Sequence, residues 1–253
     1  MRLLLLPLLL LPALALAQGK KKPPAKDGPK VIVAVPLGVP AGKTTKVTLR
    51  GLKLDKAKEV RLAGGVKGTV KLLKKGAAAV PAMQEANKVG NTQVEVEITL
   101  PADAKGEKVE VVVETPGGTS KNHALLLDAT AVVAEKEPND ALKQAQKLPI
   151  GQTVEGKIDK PQDVDVYQFD AKAGQKVVIE VHAARLGSPV DSFLMLYGPG
   201  GEVLELNDDA EKTTDSRIEA TLKKAGTYRV SVMDAHDQGG PAHVYRLTVR
   251  AKD

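Results

Sequence analysis

Gln93-Val-Glu-Val-Glu-Ile-Thr-Leu100 alternates polar and apolar residues without a slip, placing Val94, Val96, Ile98 and Leu100 on one face. A period of two belongs to an extended strand with one side on a core and the other in water. Toward the N-terminus, Lys46-Val-Thr-Leu-Arg50 repeats the rhythm before a turn at Gly51-Leu52. Toward the C-terminus, Pro101-Ala-Asp breaks it, Glu107 to Glu114 resumes it, and Pro116-Gly-Gly precedes a strand at His123 to Leu127. The second half behaves alike: Val177, Ile179 and Val181 share a face, as do Tyr228, Val230 and Val232, then Tyr245, Leu247 and Val249. Short strands punctuated by Gly and Pro predict an all-β chain of two sandwiches, the second jelly-roll-like with about eight strands.

Composition narrows the class. Residues 1–17 (MRLLLLPLLLLPALALA) have a positive start, a leucine-rich run and an Ala15-Leu16-Ala17 cleavage signal, which predicts export with cleavage before Gln18. The run is interrupted by Pro7 and Pro12, and no later segment is long and apolar enough for a membrane span. The destination is the periplasm, the cell surface or the extracellular space. Residues 18–30 are Lys, Pro and Gly without apolar period, a flexible tether. With no cysteine, disulfides, thiolate metal sites and cysteine nucleophiles are all excluded. All six Phe and Tyr lie at or after position 167, so the first sandwich must pack Val, Leu, Ile and Ala alone. Residues 31–129 carry 15 basic and 10 acidic groups, and residues 130–253 carry 16 and 20. The basic half has no interleaved aromatics for base stacking, so no specific nucleic-acid partner is expected.

The densest chemistry is Glu135-Lys-Glu-Pro-Asn-Asp140, followed by Asp163-Val-Asp165. In extended chain, Glu135 and Glu137 point one way, and so do Asp163 and Asp165. Pro138 biases Glu137 away from helix. Hard oxygen ligands at this density suit calcium, which takes six to eight oxygens at about 2.3–2.6 Å. The competing reading makes Glu135 and Glu137 solvated linker charges, and Asn139 and Asp140 the cap of a short turn through Gln146. A second acidic group, Asp191, Asp208 and Asp209 with Asn207 and Asp215, reads mainly as turn-forming, with a second cation as the alternative.

Two resemblances follow from these residues. Gly42 to Gly51 (GKTTKVTLRG), Ala57 to Val60, Thr92 to Pro101 and Val111 to Ser120 (VVVETPGGTS) resemble an immunoglobulin-like domain of the IPT/TIG type over residues 31–128. The lysine- and alanine-rich stretch from Gly64 to Gly90 departs from that pattern and is expected to be an insertion or mobile loop. After a linker at 129–136, residues 137–253 resemble the bacterial pre-peptidase C-terminal domain. The residues that carry this are EKEPND (135–140), DVDVYQF (163–169), Asp191 to Leu194, Asn207 to Asp209, GTYRVSV (226–232) and Tyr245 to Val249. The resemblance implies a calcium ion where linker meets sandwich, held by Glu135, Glu137, Asn139, Asp140, Asp163 and Asp165. Lys157 stands where a small oxygen-bearing residue is expected.

No HExxH, GxSxG or phosphate loop is present, and the histidines at 123, 182, 236 and 243 are scattered. The expectation is a non-enzymatic binding, scaffolding or protease-accessory module, with calcium at the interdomain linker and an extracellular protein or polymer as partner. The alternative is a binder of polysaccharide or collagen-like polymer, and a hydrolase comes last. Of the tyrosines, Tyr167, Tyr228 and Tyr245 are expected to face inward and Tyr197 outward.

Overall fold

A computed structural model of the protein describes residues 28–252; the expected leader (1–17) and residues 18–27 of the expected tether lie outside it. The first half forms β1 (Lys30–Val35), β2 (Gly38–Pro40), β3 (Thr44–Leu52), β4 (Glu59–Ala63), β5 (Thr69–Ala77), a short helix α1 (Ala86–Val89), β6 (Thr92–Thr99), β7 (Lys108–Thr115), β8 (Gly118–Thr119) and β9 (His123–Asp128). The second half forms β10 (Val132–Ala134), β11 (Gln146–Lys147), β12 (Gln152–Lys157), β13 (Val164–Ala171), β14 (Gln175–His182), β15 (Ser192–Tyr197), β16 (Val203–Asn207), β17 (Arg217–Leu222), β18 (Gly226–Asp234) and β19 (Val244–Ala251). One sandwich stacks the sheet β1-β3-β6-β5 on β2-β9-β7-β4, and the other stacks β10-β12-β19-β14-β17 on β11-β13-β18-β15-β16. The chain is all-β in the sandwich sense, as the alternation predicts. No helix among the described residues is long and apolar enough to cross a membrane.

The first core is aliphatic throughout, with Val47, Leu49, Val94, Val96, Ile98 and Val111 all fully buried. The second adds the aromatics, and Phe169 stacks on Tyr228 with ring centroids 6.0 Å apart. Tyr167, Tyr228 and Tyr245 are buried as expected, and Tyr197 is half-buried.

Two expectations change. The stretch 64–90 is not a loop: β5 occupies Thr69–Ala77 and pairs with β6, and α1 follows. Its alternation was illegible because β5 is an edge strand, mostly exposed, with a bulge between Leu72 and Lys74 that shifts the facing. Nor is 129–136 wholly a linker. Residues Val132–Ala134 join the second sandwich as β10, pairing parallel with β12.

The two sandwiches share a small apolar cluster: Ile32, Val33, Leu37 and Val89 from the first, Ala242 and Val244 from the second. At its rim the buried Arg246 bridges Asp128 at the end of β9 and Glu155 on β12. Its Nη2 lies 3.1 Å from Asp128 Oδ2, and its Nε donates to Glu155 Oε2 at 2.8 Å. Glu155 Oε1 in turn accepts the Leu37 N–H at 2.5 Å. Burial pushes the Glu155 carboxyl up, and Arg246 opposes that shift. Gly187 (φ +87°) completes the joint, since a Cβ there would sit 2.0 Å from the Ile32 carbonyl oxygen and 3.4 Å from the His123 ring.

Two outcomes follow. Arg246→Met strands two carboxylates in the joint and is expected to cost about 3–5 kcal/mol, lowering the melting temperature and raising interdomain mobility in small-angle scattering. An unchanged melt and scattering curve contradicts the clamp. Burial lowers His123 to about 4, so its share of stability is present above its unfolded value near 6.5 and fades as pH falls toward 4. The loss reaches about 3 kcal/mol. Denaturant titrations of His123→Leu across that window should show a shallower decline than the parent; a parallel decline removes the assignment.

Candidate metal centre

The candidate site sits where β10 leads into β12 and β13. The Glu135 N–H continues the β10–β12 ladder by donating to the Glu155 carbonyl at 3.0 Å. Its carboxylate then turns inward. Oε2 accepts the Lys157 N–H at 2.9 Å, while Oε1 accepts the Tyr167 hydroxyl at 2.7 Å and Asn139 Nδ2 at 3.2 Å. Gly156 makes room, because a Cβ there would meet the Tyr245 hydroxyl at 2.5 Å and Glu135 Oε1 at 2.9 Å.

Asn139 is fully buried and caps no helix; its N–H donates to Glu137 Oε2 at 3.0 Å, and its carbonyl accepts the Val166 N–H at 2.9 Å. That second bond docks the 135–140 segment onto β13, beside Asp165. Asp163 and Asp165 are both buried, on the shared side that alternation predicts. Asp163 Oδ2 accepts the Asp159 N–H at 2.6 Å, and Asp165 Oδ2 accepts the Tyr245 hydroxyl at 2.6 Å.

Together these contacts gather all six residues named from the sequence. Ligand oxygens of Glu135, Glu137 and Asp165 lie within 4.8 Å of one another, and so do those of Glu137, Asp140 and Asp163. Three buried oxygens at this place have no hydrogen-bond partner: Asn139 Oδ1, Asp163 Oδ1 and Asp165 Oδ1. Unmet acceptors of this kind cost free energy unless a donor or a cation meets them. Burial, then the charge of Glu135, pushes the Asp165 carboxyl up to about 9. Burial also raises Glu137, with Glu135, Asp140 and Asp163 adding to it. The nearby cation is Lys160, 3.4 Å from Asp163 Oδ1 and 3.8 Å from Asp140, but its side chain is 66% exposed. The lysine at 157 does not enter the cluster, because its ammonium pairs with Asp159. A set made only of oxygens, acidic and partly dry, fits a hard divalent ion.

Sequence reasoning missed the tyrosine hydroxyls. Tyr167 and Tyr245 read as core residues, and they are, but their hydroxyls lie 2.7 Å apart and hold the Glu135 and Asp165 carboxylates. Buried tyrosine hydroxyls need partners, and two inward tyrosines beside inward acids were the available signal.

Elsewhere, Asp191, Asp208 and Asp209 also converge within 4.8 Å, but in half-buried to exposed positions. Asp191 faces His236 at 3.3 Å. Asp215 is buried and accepts backbone N–H groups of Ala183 at 2.9 Å and Ala184 at 2.6 Å, holding a turn. His182 faces Glu180 at 3.6 Å, and His243 is buried with neither ring nitrogen hydrogen-bonded.

A probable subtilase-type serine protease of Deinococcus radiodurans is 39% identical over 99 residues, covering 38% of this chain and 14% of that protein's length. Among solved structures, the pre-peptidase C-terminal domain of a Bacillus anthracis collagenase aligns with 46% of this chain and 100% of its own, at 16% identity and a TM-score of 0.36. The Aeromonas hydrophila periplasmic inhibitor of g-type lysozyme aligns with 48% of this chain and 100% of its own, at 16% identity and a TM-score of 0.34. The family model of the bacterial pre-peptidase C-terminal domain matches residues 163–233, the segment that opens on Asp163 and Asp165, and that segment is such a domain.

Proposed function

We propose that this chain is an exported, non-catalytic binding or accessory module whose second sandwich is locked to its linker by calcium. The carrying observation is the buried group of Asn139, Asp163 and Asp165, each with one oxygen that accepts no hydrogen bond, beside two carboxylate triads that share Glu137. Calcium there would supply the missing positive charge. The protein does the rest. Tyr167 and Tyr245 orient two carboxylates, Gly156 leaves them space, and the Asn139–Val166 backbone bond sets the linker against β13. The proposed boundaries are an IPT/TIG-type immunoglobulin-like unit over 31–128 and a pre-peptidase C-terminal-like unit over 137–253. The partner is an extracellular protein or polymer. The tyrosines favour a protein, since three of the four are buried and leave little aromatic platform for sugar.

Calorimetric calcium titration of the chain from Gln18 onward, which keeps every described residue, should give micromolar to millimolar binding that Asp140→Ala with Asp163→Ala abolishes. At 100 times Kd the stabilisation reaches about 2.7 kcal/mol. Asp165→Asn keeps the shape and replaces a carboxyl whose charged form burial and Glu135 already disfavour, so in chelator it should melt no lower than the parent yet gain nothing from calcium. Heat-silent titration and calcium-independent melting of the parent overturn the assignment.

A further inference from the structure

Five large apolar side chains are exposed among the described residues: Leu73, Met83, Val203, Leu204 and Leu206. Four of them fall on two strands, β5 and β16. Each strand ends its sheet, β5 beyond β6 and β16 beyond β15, so each carries one row of backbone groups that pairs with no neighbouring strand. Free edges of this kind are templates for pairing unless something blocks them.

The two edges carry opposite charge. On β5, Lys71, Lys74 and Lys75 are exposed, and Lys67 precedes them; Lys75 is tied to the Ala57 carbonyl, and Lys71 lies 3.9 Å from Glu97 on β6 while its side chain stays 75% exposed. On β16, Glu205 is exposed, with Glu202 just before the strand and Asp208 and Asp209 just after. Each strand is also bulged at an exposed leucine, Leu73 on β5 and Leu204 on β16. Like meets like when β5 faces β5 or β16 faces β16, and charge forbids both. When β5 faces β16, lysine meets carboxylate and leucine meets leucine.

We infer that β5 of one molecule docks along β16 of a second copy of this chain. The bulges shorten any backbone ladder, so leucine burial and charge pairing carry the contact. Because the two edges lie on different sandwiches of one chain, the contact is head-to-tail, and a molecule docked through its β5 edge keeps its β16 edge for the next. The calcium cluster and the interdomain joint take no part.

Sedimentation of the chain from Gln18 onward, at low ionic strength and up to about 1 mM, tests this. The expected result is concentration-dependent mass beyond the dimer that falls toward monomer in 0.5 M salt. Lys71→Glu with Lys74→Glu, or Glu202→Lys with Glu205→Lys, should each give monomer, and all four substitutions in one chain should restore assembly. Restoration separates the contact from misfolding, which a second pair of substitutions does not repair. A monomeric parent throughout the range, or assembly indifferent to either pair, overturns the inference.

Discussion

The fold has to keep several carboxylates out of water, and two of the places where it does so are connected by one strand. On β19, Tyr245 and Arg246 are neighbours and so face opposite sides. Arg246 meets Asp128 and Glu155 at the joint, where the positive charge is built into the chain. Tyr245 meets Asp165 and Glu135, where hydroxyls orient the acids without neutralising them. A hydroxyl shares a proton; it does not cancel a charge. The joint therefore carries its own cation, whereas the acidic cluster, in the proposed reading, takes one from outside.

This arrangement also sets where the linker lies. β10 adds to the second sandwich, Glu135 reaches into the cluster, and Asn139 bonds to β13, so the connection between sandwiches is held from Val132 to Asn139. Both anchor points share β12: Glu155 serves the joint, and two residues on, the Lys157 N–H serves Glu135. A change in order at the cluster thus acts on the strand that carries one arm of the Arg246 clamp.

Much of this was legible in the sequence because its signals are local. Alternation in Thr92–Thr99 reports burial directly, and the Asp163-Val-Asp165 spacing marks two acids that are both buried. Other features depend on partners distant in sequence and leave no local trace. The Arg246 clamp joins residues 118 and 91 positions apart, and its arginine sits at an outward position of an ordinary amphipathic strand. β5 hid for a different reason: an exposed, bulged edge strand has no buried face to impose a period. The competing reading of Asn139 as the cap of a short turn arises because a cap and a buried amide have the same sequence signature, and only the β13 backbone distinguishes them. The charge asymmetry between the halves, read first as bulk composition, resolves in part into the basic β5 and acidic β16 edges.

The central claim is that the acidic cluster is a cation site oriented by tyrosines. The chain has no tryptophan, and Tyr167 and Tyr245 hydrogen-bond the proposed ligand carboxylates. Terbium emission excited through tyrosine is therefore the most direct measurement. The account predicts sensitised emission that calcium displaces and that the Asp140→Ala, Asp163→Ala pair removes. Emission that is absent, or that survives both calcium and the substitutions, contradicts it.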